Sequence, residues 1–261
     1  MLYTIPALFL ALGLFVGINL AYAAGLVVRN YRMKHDPGFE PAGLGPLEGA
    51  LLGLLSLLLA FTFNQSATDF ARHRDLLVTE SNAIETAIWR ADLYPDSLRA
   101  LFRADFKEYI ASRIEYYEAR TDEDRIRAAR QRAEVAAGKI WRRAADAARL
   151  SGESLRSSQM LPAINNVIDA EARREDARRG HVPDPILALL FGLCIVGSFI
   201  VGYANKFRKI DWVILLSYSL MTVMTVYIIL DLDRPRRGLI ETSAAHQNLI
   251  TIYQELQTGS R

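Results

Sequence analysis

The chain has 261 residues, is 51% hydrophobic and sets 31 Lys and Arg against 29 Asp and Glu, for a formal net charge of +2. So even a balance argues against a nucleic-acid surface, because no strong basic field would gather phosphates. The single cysteine, Cys194, rules out an internal disulfide and leaves no thiolate spacing for a metal.

Apolar residues gather in two pairs of blocks, 6–28 with 44–63 and 185–204 with 212–230. Each is near the ~20 residues needed to cross hydrocarbon. The first block, IPALFLALGLFVGINLAYAAGLVV, carries no charge and is followed by Arg29, Arg32 and Lys34. Ala21, Tyr22 and Ala23 resemble a signal-peptide cleavage site. No basic segment precedes the run, however, and it continues to Val28, so it is expected to stay attached as a span. From Gly49 to Leu93 there is no proline and, beyond Gly53, no glycine. One helix is therefore expected to run about 45 residues, ~67 Å at 1.5 Å per residue, from lipid into water.

The polar part of that helix keeps an apolar stripe through Phe70, Leu77, Ile84, Ile88 and Ala91. YPDS then breaks it. Asp96 or Ser97 is expected to cap the next helix, whose Leu98, Leu101, Phe102, Phe106, Tyr109, Ile110, Ile114 and Tyr117 recur at helical steps. Thr121 with Asp124 reads as a loose capping box before a helix through Ile126, Ala129, Ala133, Ala136, Ile140 and Ala144, which Gly152 ends. A further helix is expected to begin near Pro162, where a first-turn proline is tolerated, and to end at Gly180, with Ile164, Val167, Ile168 and Ala172 as its apolar stripe.

The expected architecture is all-α: an integral membrane protein with four transmembrane helices. Residues 1–64 hold the first pair, 65–184 a helical extramembrane domain, 185–231 the second pair and 232–261 a C-terminal tail. Short loops obey the positive-inside bias most strictly. The two short connections carry Arg29, Arg32, Lys34 and Lys206, Arg208, Lys209, which places them in the cytoplasm and the helical domain outside it. Arg173, Arg174, Arg178 and Arg179, with Arg234, Arg236 and Arg237, pull the other way. Long domains translocate largely regardless of such charge.

The four histidines, His35, His73, His181 and His246, are scattered, and no Glu-x-x-His pair, phosphate loop, nucleophile elbow or dinucleotide fingerprint is present. No catalytic residue, cofactor or metal ligand is assigned, and no enzyme is expected. Catalysis would need Glu80, Asp92, Asn165, Asp169 and His181 to converge, and buried polar networks are more often structural.

Small residues form two ridges at four-residue spacing: Gly13, Gly17, Ala21 and Gly25 in the first span, Gly45, Gly49 and Gly53 in the second. Such ridges let helices approach closely in lipid, within one subunit or between subunits. Glu48 lies about one turn inside the second span, where a carboxylate is costly unless it meets water or a partner. At the other end Thr62, Asn64, Gln65, Ser66 and Thr68 form an uncharged polar run that reads either as the place where a pore meets its vestibule or as ordinary interfacial polarity, and a pore reading adds Glu48, Ser56, Phe61 and Phe63 along the path with Arg72 and Arg74 at its mouth. The Arg-rich stretches read most simply as solvated helix faces with local ion pairs.

EGALLGLLSLLLAFTFNQSATDFARHRDLLVTESNAIETAIWRADLYP, LPAINNVIDAEARR, GHVPDP and VYIILDLDRPRRGLI together resemble the bacterial bestrophin-like membrane protein family, from Glu48 to about Leu256. The most specific pieces are EGA…LLAFTF, then Glu80, Asn82, Ala83 and Ile84, then PAINN with Asn165 and Asp169, and last Asp231, Asp233, Arg234, Pro235, Gly238, Leu239 and Ile240. More distantly the family is similar to bestrophins, pentameric anion channels whose long pore-lining helix leaves the membrane into an arginine- and tryptophan-rich stretch. Here FARHRD matches that stretch loosely and lacks the paired tryptophans. Bestrophins keep the large domain in the cytoplasm, opposite to the charge bias above. The resemblance implies a homo-oligomeric anion channel in the bacterial cytoplasmic membrane, with the bilayer, further copies of the chain and anions as partners and no nucleic acid. The competing reading is a membrane-anchored helical sensor or scaffold that binds a partner through the extramembrane domain.

Overall fold

The computed structural model describes residues 5–36, 46–150, 152–178, 180–205, 210, 212–234, 240 and 243–258, without the side chains of 47, 48, 214 and 243–245. Gly45, the Glu48 carboxylate, Arg179, Lys206, Arg208, Lys209, Pro235, Arg236, Arg237, Gly238 and Leu239 lie outside the described residues. Eight helices are present among the described residues: α1 (Ala7–His35), α2 (Pro46–Ala91), α3 (Asp96–Glu118), α4 (Glu123–Ala147), α5 (Ser154–Arg178), α6 (Asp184–Ala204), α7 (Trp212–Leu232) and α8 (Ser243–Thr258). The chain divides into two compact units, one of Met1–Phe70 with His181–Arg234 and one of Ala71–Gly180 with Pro235–Arg261. As expected, α2 is unbroken over 46 residues, and it contributes to both.

In the first unit, α1, α2, α6 and α7 are long and apolar enough to cross a membrane. The helices α1 and α6 run parallel. Ser198 Oγ donates to the Ile18 carbonyl at 2.7 Å and Asn205 Nδ2 to Tyr22 Oη at 2.8 Å. Glycines set their separation: a Cβ on Gly25 would collide with the Phe199 carbonyl, and one on Gly202 with the Tyr22 carbonyl. Because lipid is as apolar as a leucine face, close backbone approach is what holds such a pair. Leu14, Ile18, Leu55, Leu187, Leu190, Cys194, Val226 and Leu230 form the shared core. At the short-loop end, Tyr31 and Trp212 are exposed and Arg32 donates to Tyr203 Oη at 2.6 Å, an aromatic and basic girdle suited to headgroup depth.

This packing separates the expected glycine ridge into two kinds. Gly17 and Gly25 face α6 within the subunit, whereas a Cβ on Gly13, Gly49 or Gly53 would meet nothing. Gly202→Ala is therefore expected to destabilise the purified protein by about 1–3 kcal/mol through overpacking. Gly13→Ala serves as the neutral control, and thermal unfolding in detergent gives the comparison.

The second unit is a helical bundle around Ile84, Ile88, Phe102, Phe106, Tyr109, Ile110, Ile140, Met160, Ile164 and Val167. In α4 the alanines at 129, 133, 136, 144 and 147 are fully or almost fully buried, which brings it close to α3. Three ion pairs staple the two in antiparallel register: Arg143 to Asp105 at 2.6 Å, Lys139 to Glu108 at 2.8 Å, and Arg132 to Glu115. Local pairs on exposed faces, as expected, are also found, Arg99 with Asp96 at 2.7 Å and Arg149 with Asp146 at 3.4 Å.

Several helix ends depart from expectation. Asp122, not Thr121, caps α4, accepting from the Asp124 and Arg125 amides at 3.1 Å. Neither Asp96 nor Ser97 caps α3: Pro95 holds that position, and Asp96 instead places its charge in the first turn, where the helix dipole favours it. The helix α5 starts at Ser154, two turns before Pro162, which is interior. The carbonyl that proline cannot pair belongs to Ser158, an exposed residue that water can reach, so the defect is tolerated there. The C-terminal stretch expected as a tail folds back as α8, burying Leu249 and Ile252 in the bundle core.

Candidate functional site

Two features of α2 stand out. The first is a face left bare along its apolar half. Gly49, Gly53, Leu57, Ala60, Asn64 and Thr68 are all exposed and, at about 100° per residue, fall within an arc of about 100°. Leu55, Thr62 and Ser66 on the opposite side are buried. The bare face has one bulky side chain and is otherwise small or polar. Phe61 and Phe63 leave the helix about 200° apart and flank that face rather than lying together on it.

The polar side chains on and beside the bare face differ in what they offer. Ser56 Oγ donates to the Leu52 carbonyl at 2.9 Å and Thr68 Oγ1 to the Asn64 carbonyl at 2.8 Å. Their O–H donors are spent, and they present oxygen lone pairs. Gln65 Nε2 is engaged by Asp69 at 2.8 Å. The Asn64 amide has no partner among the described residues and keeps both N–H donors for a visitor. Further along the helix Arg74 lies 3.7 Å from Asp75, while Arg72 is exposed and has no ion pair among the described residues.

The second feature is a buried cluster around Glu80, which is fully buried. Arg113 Nε and Arg174 Nη1 each bond one of its oxygens. Arg113 also reaches Glu171 Oε1 at 3.0 Å, and Tyr109 Oη donates to Glu171 Oε2 at 3.4 Å. The Tyr116 ring lies 4.7 Å from the Arg113 guanidinium and 5.5 Å from that of Arg174, and its hydroxyl donates to Glu175 at 2.7 Å. Burial alone would raise the Glu80 carboxyl, but the two guanidiniums outweigh it and hold the group down at about 2. Burial, with help from Arg174, likewise pushes His246 down to about 4, so its ring, stacked 3.9 Å from that of Tyr117, is neutral at pH 7.

The cluster draws on α2, α3, α5 and α8. Glu80 meets two guanidiniums, and each remaining carboxylate meets at least one, so none of the carboxylates is a free base or nucleophile. Its chemistry is that of a lock. Among the described residues no group of His, Cys, Asp and Glu could hold a metal ion.

The remaining family-motif residues do not join it. Asn82, Asn165 and Asp169 are exposed, and Asp92 pairs with Arg103 at 2.8 Å. His181 belongs to the other unit. The convergence that catalysis would need is therefore absent among Glu80, Asp92, Asn165 and Asp169. Asp231, Asp233 and Arg234 are buried at the end of α7. Asp233 Oδ1 accepts from the Val182 amide at 2.8 Å, tying the entry of α6 to the exit of α7, and Arg234 Nη1 donates to the Ile5 carbonyl. Burial pushes the Asp233 carboxyl up to about 6 against the pull of the Val182 amide, His181 and Arg234.

Sequence reasoning missed Arg113, Arg174 and Glu171. The signal was present: Arg113 falls on the stripe of Tyr109, Ile110 and Tyr116, and Arg174 on that of Val167, Ala170 and Ala177. A charge on an apolar stripe demands a buried counter-charge.

The fold is similar to crystal structures of single-residue variants of a bacterial bestrophin homolog from Klebsiella pneumoniae. One aligns with TM-score 0.70 and 11% identity over 94% of this chain and 98% of that one. Another gives TM-score 0.69 and 13% identity over 94% and 99%. A variant described only as a membrane protein gives TM-score 0.67 and 11% identity over 92% and 98%. No curated protein matches the sequence. The bestrophin-like domain matches residues 11–246, nearly the whole length, and the chain belongs to the bestrophin-like family.

Proposed function

We propose that several copies of this chain assemble around an axis in the bacterial cytoplasmic membrane, turning the bare face of α2 inward to form an anion path. The carrying observation is that face: Gly49, Gly53, Ala60, Asn64 and Thr68 exposed on one side of a membrane-length helix, with Leu55, Thr62 and Ser66 buried behind them. Lipid is a poor neighbour for an exposed amide, and a water-filled axis a good one. Small residues let neighbouring copies of α2 draw close, as Gly25 and Gly202 do within the subunit. Leu57 and the flanking Phe61 narrow the path, Phe63 packs toward a neighbouring copy, Asn64 solvates the anion, and Arg72 at the mouth attracts it. Glu48 stands at the opposite end and Ser56 about midway, beside Leu57. Family membership supports the same reading, since bestrophins are anion channels.

Purified protein in liposomes is expected to pass chloride faster than empty vesicles and to run as a single oligomeric species in native mass measurement. A monomer, or flux equal to empty vesicles, ends the proposal. The charge of the short connections supports an orientation with the helical unit outside the cytoplasm. A phosphatase fused after Arg261 is then active, whereas the bestrophin-like orientation leaves it silent.

A further inference from the structure

In the second unit a groove of about 480 Å³ lies between α4 and α5, lined by Glu134, Ala137, Gly138, Trp141, Arg142, Ile168 and Glu171. From these residues we infer a binding site for a small organic cation, a primary or quaternary ammonium on an apolar stem of a few carbons. The site shares no residue with the bare face of α2, and the inference does not depend on the channel reading.

Four observations converge. The Arg130–Glu175 pair, at 3.5 Å, sets an antiparallel register in which Glu171 stands level with Glu134, so two carboxylates share one end of the groove. Glu134 has no hydrogen bond or ion pair among the described residues, unlike Glu123, Asp124 and Asp146 on the same helix, each of which holds an arginine. Glu171 shares its arginine, Arg113, with Glu80, and burial raises its carboxyl above the usual range despite that contact.

Trp141, 43% exposed in the helical unit, offers an aromatic face, which attracts an ammonium through its quadrupole. Ile168 and Ala137 offer apolar surface for the stem.

Gly138 supplies the last observation. A glycine inside a helix is about 1 kcal/mol worse than alanine. Yet a Cβ here would meet nothing within 4 Å, so nothing within the chain explains it. Bare backbone in the groove floor leaves room for an occupant. Arg142 fixes the polarity: its Nε donates to the Gly138 carbonyl at 3.2 Å, so its charge stands near that carbonyl, four residues or ~6 Å along the axis from Glu134. A cation is repelled from that end and held at the other, head between the carboxylates and stem along Gly138.

Titration of the full-length protein in detergent with n-butylammonium chloride, against sodium chloride at equal ionic strength, is the test. Saturable heat and a change in tryptophan emission are expected. Glu134→Gln should weaken binding about tenfold, as loss of a charge-assisted contact does. Gly138→Leu should abolish it by filling the floor, while Arg142→Gln should leave it equal or tighter. All three positions reach solvent, and unchanged melting temperatures confirm intact folds. No saturable response to butylammonium, or a response unaltered in both Glu134→Gln and Gly138→Leu, overturns the assignment.

Discussion

Glu80→Ala is expected to destabilise the helical unit by about 3–5 kcal/mol, the usual cost of removing one partner from a buried ion pair. The change leaves Arg113 and Arg174 without the carboxylate they share. Arg113 retains Glu171, but Arg174 has no other ion pair among the described residues. Since α2, α3 and α5 all contribute to the cluster, the loss falls on their mutual packing rather than on one helix. Glu80→Gln keeps the shape and removes the charge, so it should lose nearly as much. If volume rather than charge matters, Gln will be neutral and only Ala harmful, and charge pairing is then not what holds the cluster.

The same residue predicts acid behaviour. Its carboxyl lies at about 2 in the folded protein against 4.5 when unconstrained. A depressed carboxylate stabilises the fold at pH above its unfolded value, and the contribution is lost as pH falls from about 4.5 toward 2. Melting temperature should drop through that window in the wild type and drop less in Glu80→Gln.

Much of this architecture was legible in residue pattern. Four apolar blocks of membrane length, and a second block with no breaker until YPDS, identify the spans and the continuous α2, because hydrocarbon thickness and helix rise leave little choice. Local chemistry was less reliable. Proline is far commoner at a helix start than inside one, so Pro162 pointed to the wrong turn. The fold-back of α8 was hidden because Leu249, Ile252 and Leu256 follow a charged, proline-containing stretch that reads as the end of the fold. The buried cluster was hidden differently. Burial is a tertiary property, and among the 31 basic residues those that go inward differ only in falling on an apolar stripe.

The bare face of α2 makes the sharper functional prediction, because its residues differ in what they can give an anion. Asn64→Leu is expected to cut chloride flux by about tenfold or more, since a hydrogen bond to a charged group is worth about 1.5–3 kcal/mol. Thr68→Val should change little: its hydroxyl proton already serves the Asn64 carbonyl, and only lone pairs, which repel anions, are removed. Arg72→Glu should lower the preference for chloride over sodium, and Arg74→Glu should lower it less, because Asp75 already sits 3.7 Å from that guanidinium. Exposed charges act over roughly a Debye length, so the difference between the two should shrink between about 0.05 and 0.5 M salt by general screening. The flanking position of Phe63 makes Phe63→Ala a test of assembly, seen as a lower oligomer number, and that of Phe61 makes Phe61→Ala a faster path. Should Asn64→Leu conduct like the wild type while Thr68→Val does not, the face points away from the axis, and the path must run along another side of the helix.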